Sequence, residues 1–169
     1  KRILTWLLAI SMLGSLLTVP AGAAAVTKFS DVSDSYTATA VESPRLMGVL
    51  DGYGDGTFRP DTVLNRAQFC KMAVYAMDGS GELGRYSTVT IFPDVKPSHW
   101  ASAYINMAAR KGIISGFADG KFKPGQTVTA GQAVTILMRG LGYKDEDMGG
   151  VWPQSYLAEA QPNGLLKSP

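Results

Sequence analysis

Two stretches of this 169-residue chain are copies of one another. Gly48 to Gln68 reads GVLDGYGDGTFRPDTVLNRAQ, and sixty-four positions later Gly112 to Gln132 reads GIISGFADGKFKPGQTVTAGQ. Gly48, Gly52, Asp55, Gly56, Phe58, Pro60 and Gln68 return as Gly112, Gly116, Asp119, Gly120, Phe122, Pro124 and Gln132. Between these fixed points character is kept, as in Val49 to Ile113, Tyr53 to Phe117 and Arg59 to Lys123. A shared period of this kind makes the chain an array of one supersecondary unit.

Each copy reads as a first helix, a glycine-rich turn, an extended aromatic-and-proline strap and a capped second helix. Phe29-Ser30-Asp31-Val32 and Phe92-Pro93-Asp94-Val95 put an aromatic and a turn-forming Asp ahead of the first helix. In copy two Trp100, Tyr104, Met107 and Ala108 form one stripe at helical spacing, and Gly112 ends that helix behind Arg110 and Lys111. In copy one Pro44 replaces Ala108, which predicts a kinked or shortened helix and the least regular element of that copy. The Asp-Gly turns let Phe58 and Phe122 plug the space beneath each loop, and Pro60 and Pro124 keep the strap extended. Second helices begin at Asn65 and Thr129. Thr129-Ala130-Gly131-Gln132 fits a capping box, and Asn65-Arg66-Ala67-Gln68 is a close variant. Their expected apolar faces are Phe69, Met72, Ala73, Ala76, Met77 and Ala133, Ile136, Leu137, Gly140, Leu141.

Trp152, Tyr156, Ala160, Gly164, Leu165 and Leu166 repeat Trp100, Tyr104, Ala108, Gly112, Ile113 and Ile114 at an offset of fifty-two. They read as the first half of a third copy, in which Trp152 and Leu165 lack a full partner surface. The first residue, Lys1, and the end at Ser168-Pro169 within the pattern lead us to expect a piece of a longer product. Lys1-Arg2, the apolar run Ile3 to Val19 and the small residues Ala21 to Ala25 have the layout of a secretory signal peptide cleaved after Ala23 or Ala25. The expected organisation is a signal peptide over 1–25, repeat 1 over 26–88, repeat 2 over 89–148 and a partial repeat 3 over 149–169.

Loss of the leader removes two of 16 basic residues and none of the 14 acidic ones, leaving no net charge. A neutral chain without a basic cluster gives no footing for nucleic acid. Cys70, the one cysteine, excludes an internal disulfide and reads as a buried, inert thiol. A calcium loop from Asp51 fails because Tyr53 and Thr62 stand where an oxygen ligand and a bidentate Glu are required. The glycines are out of register for a dinucleotide fingerprint and no P-loop lysine follows. His99 reads as a cap beside Trp100 rather than part of a triad. Asp55 and Asp119 occupy equivalent turn positions, which suits a shared structural task better than a pair of glycosidase carboxylates. The residues point to a non-catalytic chain with no cofactor.

In order, the Phe-x-Asp-Val start, the Trp/Tyr helix, Gly-(Val/Ile)-x-x-Gly-(Tyr/Phe)-x-Asp-Gly-x-Phe-(Arg/Lys)-Pro and the capped helix resemble the S-layer homology domain. The resemblance covers nearly everything after the leader, as two copies and a half. It implies a mainly α fold of tandem helix–loop–helix repeats, with three copies forming a pseudo-threefold bundle left incomplete here. It implies non-covalent binding of secondary cell-wall polysaccharide, often bearing pyruvate ketals, by an exported protein held at the cell wall. Surface-layer neighbours are further implied partners, with no membrane contact after leader cleavage. The alternative is the anchor of a larger exported hydrolase or S-layer protein whose working domain lies beyond Pro169.

Arg66 is the residue that physical reasoning singles out. At the first position of a helix a cation opposes the macrodipole by about 0.3–1 kcal/mol. A carboxylate ligand, attracted by open helix N–H groups and forked by the guanidinium, would account for it; a solvent-facing arginine in a capping box is the plainer account. Asn65, Gln68, Gly52, Tyr53 and Asp55 are expected to support Arg66 in a copy-one groove. Trp100 or Trp152 would stack on a sugar ring, although each aromatic also suits a core position. The family's Thr-Arg-Ala-Glu becomes Thr129-Ala130-Gly131-Gln132 in copy two, so Ala130 predicts a poor anion site there.

Overall fold

The computed structural model describes residues 29–78 and 81–163. The leader and the Gly164, Leu165 and Leu166 positions of the third copy lie outside the described residues. Among the described residues five α-helices follow one another: α1 Ser35–Leu46, α2 Arg66–Asp78, α3 Ser102–Arg110, α4 Ala130–Gly140 and α5 Gln154–Ala160. Short 3-10 turns occupy Leu83–Tyr86 and Asp145–Asp147. Among the described residues there is no strand, only a single bridge between Asn65 and Thr127. The protein is mainly helical, as the tandem repeats predict.

Local chemistry sets the helix ends. At α3 the Gly112 N–H donates to the Ala109 carbonyl at 3.1 Å and the Ile113 N–H to Ala108 at 2.8 Å. This left-handed closure needs the positive φ of +71° at Gly112, and Gly48 closes α1 in the same way. Both capping boxes form. Asn65 and Gln68 exchange bonds of 2.9 and 3.0 Å, and Thr129 and Gln132 do the same at 3.3 Å. Pro44 does not shorten α1, which runs 12 residues against 9 for α3. The proline falls in the last turn and its carbonyl still accepts the Val49 N–H at 2.8 Å. What sets α1 apart is exposure: Val41 is its one buried residue, while Tyr36 and Leu46 face solvent.

Each strap is held by the Asp of its Phe-x-Asp-Val motif. The Asp94 carboxylate accepts the Phe122 N–H at 2.9 Å and the Lys123 N–H at 2.7 Å. Asp31 accepts Phe58 and Arg59 in the same way at 2.8 and 2.6 Å. The clamp accompanies an unusual backbone, because Arg59 and Lys123 sit at φ of +59° and +58°, a region L-residues rarely occupy. Their cationic ends return over the Tyr53 and Phe117 rings at 4.0 and 4.5 Å. With the strap fixed, Phe122 is fully buried against Phe92, ring centres 5.5 Å apart, and Phe58 packs on Phe29 at 5.4 Å.

The second helix of one copy packs on the first helix of the next: α2 on α3 and α4 on α5, with α2 also against α4. The main core gathers Cys70, Val74, Val95, Ile105, Met107 and Phe122, and a smaller one gathers Val134, Met138, Tyr156 and Ala160. The seam matches the expected stripes in part: Ala73 and Ile136 are buried in the main core, with Phe69 and Met77 packed against it. The deep positions are Ala67, Cys70 and Val74 in α2 and their equivalents Gly131, Val134 and Met138 in α4, whereas Ala76 and Leu141 are exposed. A Cβ on Gly131 would come 2.7 Å from Pro153, and one on Gly140, a position within the expected stripe, would collide with the Met77 side chain. Trp100 likewise lies ahead of α3 and is exposed, with Ala101, Ser102 and Ile105 buried instead. Burial pushes the Cys70 thiol up to about 12, which makes it inert.

Burial alone would raise the Asp94 carboxyl, but the Phe122 and Lys123 N–H groups outweigh it and hold it below its usual value. The unfolded chain therefore binds the proton more tightly. The stability from this clamp is present above about pH 4 and is lost as pH falls through the lowered folded-state value. Asp94→Asn should cost about 1.5–3 kcal/mol at pH 7 in urea unfolding, since two bonds to a charged acceptor weaken. It should also flatten the loss of melting temperature between pH 5 and pH 2.

Candidate functional site

Two clefts of one design flank the repeat loops. The first, about 300 Å³, is lined by Gly52, Tyr53, Gln68, Lys71 and Trp100. The second, about 410 Å³, is lined by Gly116, Phe117, Gln132, Arg139, Trp152 and Tyr156, and by Arg66. Gly52, Tyr53 and Gln68 correspond to Gly116, Phe117 and Gln132, and Trp100 corresponds to Trp152. A cleft thus takes its floor and one wall from the loop and second helix of one copy and its other wall from the start of the next. Arg66 reaches the second cleft from a third source, the preceding copy.

Arg66 is 5% exposed, so it is not a solvent-facing arginine. Its Nε donates to the Phe122 carbonyl at 2.8 Å and a terminal nitrogen to the Ser115 carbonyl at 3.3 Å. The guanidinium lies over the Phe122 and Phe117 rings, 4.4 and 4.6 Å from their centres. Desolvation lowers its pKa, opposed by the fields of Cys70 and Asp94, and an arginine starting from so high a value stays charged. Among the described residues it has no carboxylate ion-pair partner.

The helix mouth behind Arg66 is closed, which corrects the expectation of open N–H groups there. The Asn65 N–H goes to Gln68, Arg66 to the Gln126 carbonyl at 2.9 Å, Ala67 to Pro124 at 3.0 Å and Gln68 to Asn65. The strap of copy two has taken the donors that an anion would use. Any anion at Arg66 must meet the guanidinium alone.

In the same cleft Arg139, in α4, forks the Asp145 carboxylate at 2.8 and 2.7 Å and donates to the hydroxyl of Ser115, whose carbonyl Arg66 bonds, at 3.3 Å. The Tyr156 hydroxyl, in α5, donates to the same carboxylate. Together Arg139 and Tyr156 hold the Asp145 carboxyl below its usual value. Trp152, 51% exposed, donates its indole N–H to Thr135 at 2.9 Å and keeps one side of its ring open.

The residues expected around Arg66 divide between the clefts. Gly52, Tyr53, Gln68 and Trp100 meet in the first, Arg66 and Trp152 in the second, and Asp55 and Asn65 line neither. Asp55 is spent within its own turn, where Thr57 and Arg59 bind it and bring its carboxyl down to about 2. Asn65 and Gln68 cap α2. His99 caps its turn, its Nδ1 accepting the Ala101 N–H at 3.1 Å. Ala130 lines neither of these clefts, and the guanidinium beside the copy-two loop is that of Arg66 from copy one. The first cleft has Lys71 instead, paired with Asp51. Sequence reasoning missed Arg139 and Asp145. Their copy-one equivalents are Tyr75 and Gly81, so the repeat carries no signal for either.

The model of the S-layer homology domain matches residues 28–70 and 91–134, just over half of the chain. The chain belongs to the S-layer homology domain family. It is 32% identical over 146 residues to a middle cell wall protein of Brevibacillus brevis, covering 85% of this chain and 14% of that protein. It is 38% identical over 148 residues to a cell surface protein of Thermoanaerobacter kivui, covering 86% and 19%. A cellulosome-anchoring protein of Acetivibrio thermocellus is 31% identical over 115 residues, covering 67% and 26%. The chain thus spans between 14% and 26% of the length of these relatives. They are wall and surface proteins by name, and the family places an S-layer homology array at the cell surface. No described helix is long and apolar enough to cross a membrane.

Because Arg66 ties copy one to the loop of copy two, its loss should be felt in folding. Arg66→Met removes the donors of two carbonyls while keeping most of the volume. It should cost about 1–3 kcal/mol in urea unfolding, the penalty for leaving such groups unpaired.

Proposed function

We propose that the second cleft binds a carboxylated glycan of the cell wall, in the form of pyruvylated secondary polysaccharide, and so holds the protein non-covalently at the surface. One observation carries the reading: the Arg66 guanidinium is almost fully buried at the cleft, bonded only to carbonyls and covered by two phenyl faces. A buried cation is costly without an opposite charge, and a ligand carboxylate at the cleft would supply one. Bidentate pairing of guanidinium with carboxylate is the strong form of that contact. The open side of Trp152 offers an apolar face to a sugar ring beside it. The glycan takes no part in chemistry; the cleft is a binding site rather than a catalytic one.

A second reading extends the first. Since the chain spans between 14% and 26% of the relatives named above, it serves as the wall anchor of a longer exported protein, with the working domain elsewhere in that protein.

Sedimentation with purified, pyruvylated bacterial cell walls tests the anchoring. The wild-type chain should pellet, and an added acidic saccharide should release it. Trp152→Ala should pellet several-fold less at an unchanged melting temperature. Arg66→Lys, which keeps the charge but loses the fork, should weaken retention about tenfold, a loss of roughly 1.4 kcal/mol. Wild-type chain left in the supernatant overturns the proposal.

A further inference from the structure

Arg139 and Asp145 belong to the second cleft, yet neither position follows from the repeat. Arg139 is rooted in α4, and its side chain is only 15% exposed. Asp145 sits on a three-residue 3-10 turn, and its side chain is 66% exposed. The cation is fixed and the anion is mobile by comparison, because a short exposed turn opens at far less cost than a packed helix. The contacts of the Asp145 carboxylate are those a ligand carboxylate would seek: a two-pronged guanidinium and the Tyr156 hydroxyl. Copy one has nothing like it. There the equivalents of Arg139 and Tyr156 are Tyr75 and Tyr104, whose hydroxyls meet at 3.3 Å.

We propose that Arg139, with Tyr156, is a second carboxylate seat of this cleft, and that Asp145 is an internal carboxylate occupying it until an acidic ligand takes its place. The inference rests on the reading of the cleft as a carboxylate-glycan site and adds a residue and an exchange step to it. Ligand entry replaces one carboxylate on Arg139 by another, so the buried cation is paired before and after. The Asp145 turn swings out to solvent, where its charge is hydrated. Affinity in the free protein is set by the fraction of time the seat stands empty, and a seat nine-tenths filled lowers apparent affinity about tenfold. The exchange also selects for charge, since a neutral sugar gains nothing by displacing Asp145.

Calorimetric titration of the full chain with a methyl glycoside bearing a 4,6-linked pyruvate ketal tests the exchange, with its methyl ester as the neutral control. Asp145→Asn should bind the acid roughly tenfold more tightly than wild type and the ester no more tightly; Arg139→Gln should lose that gain when combined with it. A carboxyl NMR titration of wild type keeps the test independent of how the variants fold. The lowered Asp145 value should move back toward that of an ordinary aspartate when the acid saturates the site. Wild-type binding with unchanged or weaker binding by Asp145→Asn, or an Asp145 titration indifferent to ligand, overturns the exchange and leaves the glycan site standing. Absence of acid binding by wild type and Asp145→Asn alike overturns both.

Discussion

The fold around the second cleft depends on one carboxylate. Asp94 takes the N–H groups of Phe122 and Lys123, and in doing so fixes three things at once. It stabilises a left-handed residue at 123, it drives the Phe122 ring into the core against Phe92, and it turns the Phe122 carbonyl toward Arg66. The same acid contributes to the field that keeps the buried guanidinium charged. A motif that looks like the start of a helix in sequence is therefore the support of a strap 28 residues away. The cleft inherits its geometry from bonds made by residues outside its lining.

The elements themselves were legible because local chemistry decides them. Asn65 and Gln68, Thr129 and Gln132, Gly48 and Gly112 each act within one turn of a helix, and their residue types leave few alternatives. The aromatic plug at Phe122 was legible for the same reason. Side-chain facing was less so. Ala73 and Ile136 lie in the core as their spacing predicts, but Ala67, Cys70, Gly131 and Val134 are buried beside them, outside the stripes that run from Phe69 and Ala133. Pro44 misled in a similar way: a proline in the last turn removes one donor without halting the helix, because its carbonyl still closes the end.

Arg66 was legible as an unusual residue, and its surroundings were not. A cation at a helix start stands out in the sequence, and its position within the repeat suggests Gly52, Tyr53 and Asp55, its neighbours in the same copy. In the structure it serves the next copy's loop, and the N–H groups that were to help it are closed by Gln126 and Pro124. Nothing within a single repeat shows this. A unit that packs its second helix on the first helix of its successor necessarily builds its clefts from successive copies. Position within a repeat then identifies a residue's role but not the cleft in which it acts.

That offset explains why the two clefts differ although their loops match. The first has Lys71 held by Asp51, and the Tyr75–Tyr104 pair of that copy lies outside its lining; the second has Arg66 from the preceding copy and Arg139 with Asp145. The first position of a second helix faces the cleft of the following copy, as Arg66 does, so Ala130 lines neither of the two clefts described. An array of this kind can tune each cleft separately while the Asp-clamped straps and capped helices stay the same. The conserved part of the repeat makes the frame. The part that varies between copies, Tyr75 to Arg139 above all, decides how much charge each cleft carries.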